Sequence, residues 1–215
     1  MKKQIMMAIT MAMGALVAQA QQATQDDQAA ELAKKLANPV AALISVPLQY
    51  NYDENIGPKG DGSKSVLNVQ PVIPFSLNDD WNLITRTIVP LIDQSDIPVQ
   101  GEDKSGMGDI VQSFFFSPKE PVGGWILALG PVGLYPTASD EMLGGEKWGV
   151  GPTALALQQT GPWTYGVLAN HIESVAGDDQ RTDISATFVQ PFLSYITKTK
   201  TTLGVNTEST YDWKA

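Results

Sequence analysis

The run VAALISVPLQYNY, residues 40–52, separates by parity into two walls. Val40, Ala42, Ile44, Val46, Leu48, Tyr50 and Tyr52 share one, and Ser45, Pro47, Gln49 and Asn51 share the other. A period of two held over that length predicts a β-strand with one apolar and one polar face. The pattern returns downstream. In SVLNVQPVIPFSL, Leu67, Val69, Pro71, Ile73, Phe75 and Leu77 oppose Asn68, Gln70, Pro74 and Ser76. Trp163, Tyr165, Val167 and Ala169 oppose Thr164, Gly166 and Asn170, while Leu203 and Val205 oppose Thr202, Gly204, Asn206 and Glu208. In IVQSFFFS and GWILALGPVGLY both parities carry apolar residues. Strands are expected over 40–52, 65–77, 81–92, 108–117, 124–136, 147–159, 163–175, 182–196 and 201–211.

The connections between these strands alternate in length: DENIGPKGDGSK, NDD, DQSDIPVQGEDKSG, PKEPVG, TASDEMLGGE, TGP, AGDDQRT and TKTK. A soluble β-sandwich gives no reason for such alternation. An antiparallel up-and-down transmembrane β-barrel does, with short periplasmic turns and long outer loops, and tilted strands of about 9–11 residues suffice to cross. Composition agrees: of the 215 residues 17% are charged, against about 25% in ordinary soluble domains, and Cys is absent. The formal charge of −9 argues against a nucleic-acid partner.

Lys2 and Lys3, the apolar stretch from Ile5 to Val17 and Ala18-Gln19-Ala20 read as a secretory signal peptide over 1–20. No later window is long and apolar enough for a membrane-spanning helix. Residues 21–38 form a helical segment. Within 26–37, Ala29, Leu32, Ala33 and Leu36 recur at helical spacing, Glu31 precedes Lys35 by one turn, and Asn38-Pro39 ends the pattern. This helix is either a plug in the lumen or a periplasmic segment. Residues 39–215 are the expected barrel.

With the first strand running outward, aromatic residues collect at two levels, as interfacial girdles do. Phe75, Trp81, Phe116, Trp125, Trp163 and Tyr195 fall at the periplasmic rim; Tyr50, Tyr52, Tyr135, Trp148, Tyr211 and Trp213 fall at the outer rim. About nine strands is an odd number, whereas single-chain bacterial barrels have an even one. The expectation is therefore an incomplete barrel with a gap between its first and last strands.

The segments AELAKKLANPVAALISVPLQYNYDENIGP and VLNVQPVIPFSLNDDWNLITRTIVPLI resemble the bacterial outer-membrane proteins grouped as the MetA-pathway phenol-degradation family, often labelled "transporter". GMGDIVQSFFFSP, WGVGPTALALQQTGPWTYGVLANH and FVQPFLSY resemble it too. The resemblance implies a β-barrel of the Gram-negative outer membrane with a role in passage of small, aromatic or hydrophobic compounds. Its chains continue to roughly twelve strands, within the range of such barrels, so by this likeness the barrel is incomplete at the C-terminus. The resemblance brings no catalytic residues.

An enzyme has little to stand on. His171 is the lone His, no G-x-S-x-G elbow is present, and one His without Cys is too little for a zinc site. GPKGDGSKS lacks the Lys placement and following helix of a phosphate loop. The outer-loop carboxylates Asp53, Glu54, Asp61, Asp93, Asp96, Glu102, Asp103, Asp140, Glu141, Glu146, Asp178, Asp179 and Asp183 match no calcium loop and read as solvated. Divalent bridging to lipopolysaccharide, or repulsion of anionic solutes from a mouth, is the functional alternative. No metal or cofactor is expected.

Transport would use the polar parity: Gln49, Asn51, Asn68, Gln70, Arg86, Thr164, Asn170, Asn206 and Glu208. Arg86, mid-strand in LITRTIV, would cost about 2–4 kcal/mol against lipid at the midplane, so it is expected to point inward. The expected function is an outer-membrane channel for small molecules. Its partners would be the lipid bilayer, lipopolysaccharide, a small solute and the barrel-assembly machinery. The alternatives are a structural or interaction barrel with a filled lumen, and a secreted soluble β-sheet binding protein.

Overall fold

The computed structural model describes residues 28–57 and 59–214. The expected signal peptide and the Asp26-Asp27 start of the helix lie outside the described residues. A helix over 28–36 leads through a turn into an antiparallel sheet. Its segments are β1 (Leu48–Ile56), β2 (Gly62–Val69), β3 (Val72–Ser76), β4 (Trp81–Ser95), β5 (Asp103–Met107) and β6 (Ile110–Pro118). They continue with β7 (Trp125–Tyr135), a 3-10 turn at Glu141–Leu143, β8 (Lys147–Thr160), β9 (Trp163–Gly177), β10 (Ser185–Ile196), β11 (Thr202–Asn206) and β12 (Ser209–Asp212).

Three pairs of segments are strands interrupted once. β2 and β3 both pair with β4 and hold one register across Gln70-Pro71. β11 and β12 both pair with β10 and hold one register across Thr207-Glu208. Proline explains both gaps, since it has no N–H to give a ladder: Pro71 stands in the first, and Pro191 of β10 faces the second. β5 and β6 both pair with β4, with a register shift between Met107 and Val111 where Gly108 N–H donates to Pro90 O at 2.9 Å.

The strands thus run up and down in chain order from β1 to β11–β12. β1 and β11–β12 are the two edges, and no ladder joins them among the described residues. Among the described residues the fold is all-β: an open antiparallel barrel wall of nine strands with one short helix.

The first expected strand is shortened. Asn38 Oδ1 accepts the Val40 N–H at 3.0 Å and Asn38 O accepts the Ala41 N–H at 3.1 Å, which turns the chain inward. Val40 is therefore buried inside the wall instead of sharing the outer face with Tyr50, and the regular ladder begins at Leu48, after Pro47. Conversely, most of DENIGPKGDGSK is ladder, with Glu54 opposite Ser63, and β4 and β9 run on to Ser95 and Gly177. The connection at the other end of β4 is set locally, because Asn78 Oδ1 accepts the N–H groups of Asp80 and Trp81, each at 2.9 Å.

The two faces invert the usual order of a soluble protein. Ile73, Phe75, Leu91, Leu127, Leu129, Val150, Val167, Leu193, Leu203 and Val205 are exposed on the outer face. An apolar surface of that extent marks contact with lipid or another apolar partner. Trp163 and Tyr195 rings lie 4.6 Å apart at the end with the short turns, and Tyr135 meets Trp148 edge-on at 5.5 Å at the end with the long loops.

The inner face is layered, not uniformly polar. Near the short turns Val72, Ile84, Phe115, Ala128, Leu155, Leu157 and Leu168 pack with Val40 into a core. That layer accounts for the apolar residues on both parities in the Phe114–Phe116 and Trp125–Tyr135 segments. The N-terminal helix caps it: Gln159 Nε2 donates to Lys34 O at 2.9 Å, and Ala33 is buried. The helix itself stays largely exposed at this end, with Leu32 and Leu36 uncovered, while Val40 after it enters the core.

Two glycines let neighbouring backbones close on each other. A Cβ on Gly130 would strike the Phe114 carbonyl, and one on Gly151 would strike the His171 carbonyl. Both lie beside the facing prolines Pro131 and Pro152, where the ladders of β6–β7 and β8–β9 skip pairs.

Candidate functional site

At mid-height the inner face carries a chain of hydrogen bonds. Arg86 lies in the centre of β4, opposite Val72 on one side and Ser113 on the other. Its Nη2 donates to Gln70 Oε1 at 2.6 Å; Gln70 Nε2 donates to Gln49 Oε1 at 2.8 Å; Gln49 Nε2 donates to Glu208 Oε1 at 3.1 Å. Gln190 Nε2 and Asn206 Nδ2 reach the same carboxylate oxygen at 2.8 and 3.2 Å. A guanidinium only donates and a carboxylate only accepts, so the charges at the two ends dictate which way each glutamine amide faces. The belt is thereby polarised from Arg86 to Glu208.

The belt also crosses the open seam. Gln49 belongs to β1, whereas Glu208, Asn206 and Gln190 belong to the β10–β12 side. Glu208 therefore holds the two sheet edges together through its side chain. Glu208→Leu is expected to lower unfolding stability by about 1–2 kcal/mol, since charge-assisted hydrogen bonds are strong but this carboxylate is solvent-accessible. Urea unfolding of the detergent-folded protein, followed by tryptophan fluorescence, measures it.

On the loop side of the belt lies a cavity of about 290 Å3. Its floor includes Gln49, Gln70, Arg86, Gln190 and Glu208; its walls include Ile88, Val111, Leu134, Ile172, Ile184 and Phe188. Of the residues expected in the lumen, Gln49, Asn68, Gln70, Arg86, Asn170 and Glu208 line this cavity, and Asn206 joins it through Glu208. Asn51 contacts Gln49 at 3.3 Å without lining the cavity. Thr164 is buried elsewhere, at the short-turn end, where Gln159 Nε2 donates to its hydroxyl at 3.1 Å. Gln190 and the apolar wall went unread in the sequence. Gln190 sits between Val189 and Pro191 on a strand whose inner parity also carries Phe188 and Phe192, so periodicity gave it no polar face to belong to.

His171 is placed away from this cavity, with Nδ1 2.9 Å from Thr187 Oγ1, which also accepts from Trp213 Nε1 at 2.9 Å. Around the long loops, charge is paired. Lys104 meets Asp140 at 3.0 Å, the buried Lys147 meets Asp183 at 3.0 Å, and Arg181 meets Glu146 at 3.3 Å. Buried Gln94 donates to Ile97 O at 2.8 Å and Met142 O at 3.2 Å, tying two loops over the cavity end of the barrel.

These loops should respond to acid. The Met142 N–H, then Lys104, holds the Asp140 carboxyl below its ordinary value of 3.8. Lys147, then Ser174, does the same for Asp183. Groups with depressed folded values stabilise above the ordinary value and lose that contribution as pH falls through the lower folded value. Proteolysis within 136–146 and 178–184 is expected to be slow at pH 5 and above and to accelerate below 3.8. Asp140→Asn together with Asp183→Asn should remove the difference.

A similar barrel is known from a crystal structure. An outer membrane channel from Pseudomonas putida F1 superposes with a TM-score of 0.58 at 18% identity, over 79% of this chain and 69% of that one. At that identity the likeness is one of fold. No protein-family model matches the chain, and no curated protein matches it.

Proposed function

We propose that this protein is an outer-membrane barrel that passes small solutes through its lumen. One observation carries the reading: an outer wall of exposed apolar side chains encloses a charged, hydrogen-bonded belt and a cavity beside it. A bilayer selects that inversion, because lipid faces the outside and solute faces the lumen. The fold likeness to an outer membrane channel supports it, as does the resemblance to the phenol-degradation family, which points to small aromatic or hydrophobic solutes. Lipopolysaccharide around the loops and the barrel-assembly machinery belong to the same reading.

Uptake into liposomes tests it. The folded protein is expected to admit small aromatic and aliphatic compounds selectively, and Arg86→Leu to change their rates several-fold, because it removes the cation from the belt and leaves Gln70 Oε1 without its donor. A verified folded barrel without uptake overturns the channel.

The core around Val40, with the helix hydrogen-bonded at its edge through Lys34, favours a second reading, a structural or interaction barrel with a filled lumen. Removal of the helical segment separates the two by its effect on conductance.

A further inference from the structure

The geometry points to the mid-lumen cavity as a binding site for a small zwitterion that carries an apolar group, with its anionic end at Arg86 and its cationic end at Glu208. The inference rests on the channel reading only for its biological use; the site is defined by the residues of the cavity itself.

Three features of the floor and walls converge. First, both charges border one cavity. They are linked through two amides, Gln70 and Gln49, and do not neutralise each other in an ion pair. Second, each keeps unused capacity toward the space. Among the described residues Arg86 uses one donor, to Gln70, and Glu208 accepts all three of its hydrogen bonds on Oε1, leaving Oε2 without one. Third, the walls above the floor carry an apolar set, Ile88, Val111, Leu134 and Phe188, interspersed with Asn68 and Asn170, facing the same volume.

Ligand classes then differ in what they leave unpaired. A simple anion answers Arg86 and meets repulsion from Glu208; a simple cation does the reverse. A neutral solute displaces water from both charges and restores neither. A zwitterion gives each charge a charged partner with directed hydrogen bonds. Its apolar substituent gains by leaving water against the wall. The polarised direction of the two glutamine amides keeps the ends distinct, so the ligand binds in one orientation.

Calorimetric titration of the detergent-folded full chain with leucine, leucine methyl ester and N-acetylleucine tests the site without relying on transport. Leucine is expected to bind, and the ester and the N-acetyl derivative, each lacking one charge, to bind at least about tenfold more weakly. Arg86→Gln should abolish the preference for leucine over the ester, and Glu208→Gln the preference over the N-acetyl compound. Equal binding of all three, or none by leucine, overturns the inference, and this comparison uses the unaltered protein, so it stands even where a variant misfolds. Liposome uptake of the same three compounds is measured in parallel. Leucine binding by a folded barrel that admits neither these compounds nor the aromatic and aliphatic panel would retain the site and reject the channel, whereas uptake of the panel with equal binding of the three leucine compounds would do the opposite.

Discussion

A chain with Gly151→Val is expected not to reach the folded barrel. The position is extended and needs no left-handed backbone; what forbids a side chain is the approach of β9. A Cβ on Gly151 would overlap the His171 carbonyl oxygen and crowd Ile172 Cα. Those are backbone atoms, which cannot rotate away as a flexible side chain would. The ladder is already interrupted here, with Pro152 facing Pro131 and no β8–β9 pair registered between Val150 and Thr153. Relief would require β9 to move bodily, breaking further pairs. Overpacking of this kind costs about 3 kcal/mol or more, a large part of a typical stability of about 5–15 kcal/mol. Heat-modifiable migration in detergent reads the outcome directly. Gly204→Val, where the nearest neighbours of a Cβ stand at 3.7 Å, should migrate as the unaltered protein does. If Gly151→Val folds normally, the close approach of β8 and β9 is wrong.

Deleting residues 28–41 is expected to raise single-channel conductance several-fold. The deleted stretch includes the helix, which holds Gln159 through the Lys34 carbonyl, and Val40, which fills the core against Phe115, Leu157 and Leu168. The wall itself survives, because Ser45 still bridges Val72 and Pro47 O still accepts from Gln70 N at 2.9 Å. With that packing gone, the short-turn end of the lumen loses its filling while the belt at Arg86 remains. A deleted barrel that folds but conducts no better would show that the remaining wall side chains close the lumen, and would favour the structural reading.

Much of this arrangement was legible in the residues. Alternation in 65–77 and 163–175 marked strands because a strand whose two faces meet different surroundings must repeat every two residues. Arg86 was readable as inward-facing because its charge has no tolerable place against lipid, and Gln70 because it shares the polar parity of its strand. The odd strand count announced an open seam, which the unpaired edges of β1 and β11–β12 display.

Other features had no local signal. The inward turn of Val40 depends on Asn38 capping and on a core contributed by separate strands, from Val72 to as far along the chain as Leu168, so its parity with Tyr50 misled. Gln190 joins the belt because β10 brings it beside Glu208, a meeting that periodicity does not encode. Sequence by itself determined which residues alternate, where turns fall and which charge must avoid lipid, since these follow from the chemistry of single residues and near neighbours. The tertiary structure alone decided that Val40 enters the core, that the inner face is layered, and that Arg86 and Glu208 share one cavity, because each depends on how separate strands curve toward one another.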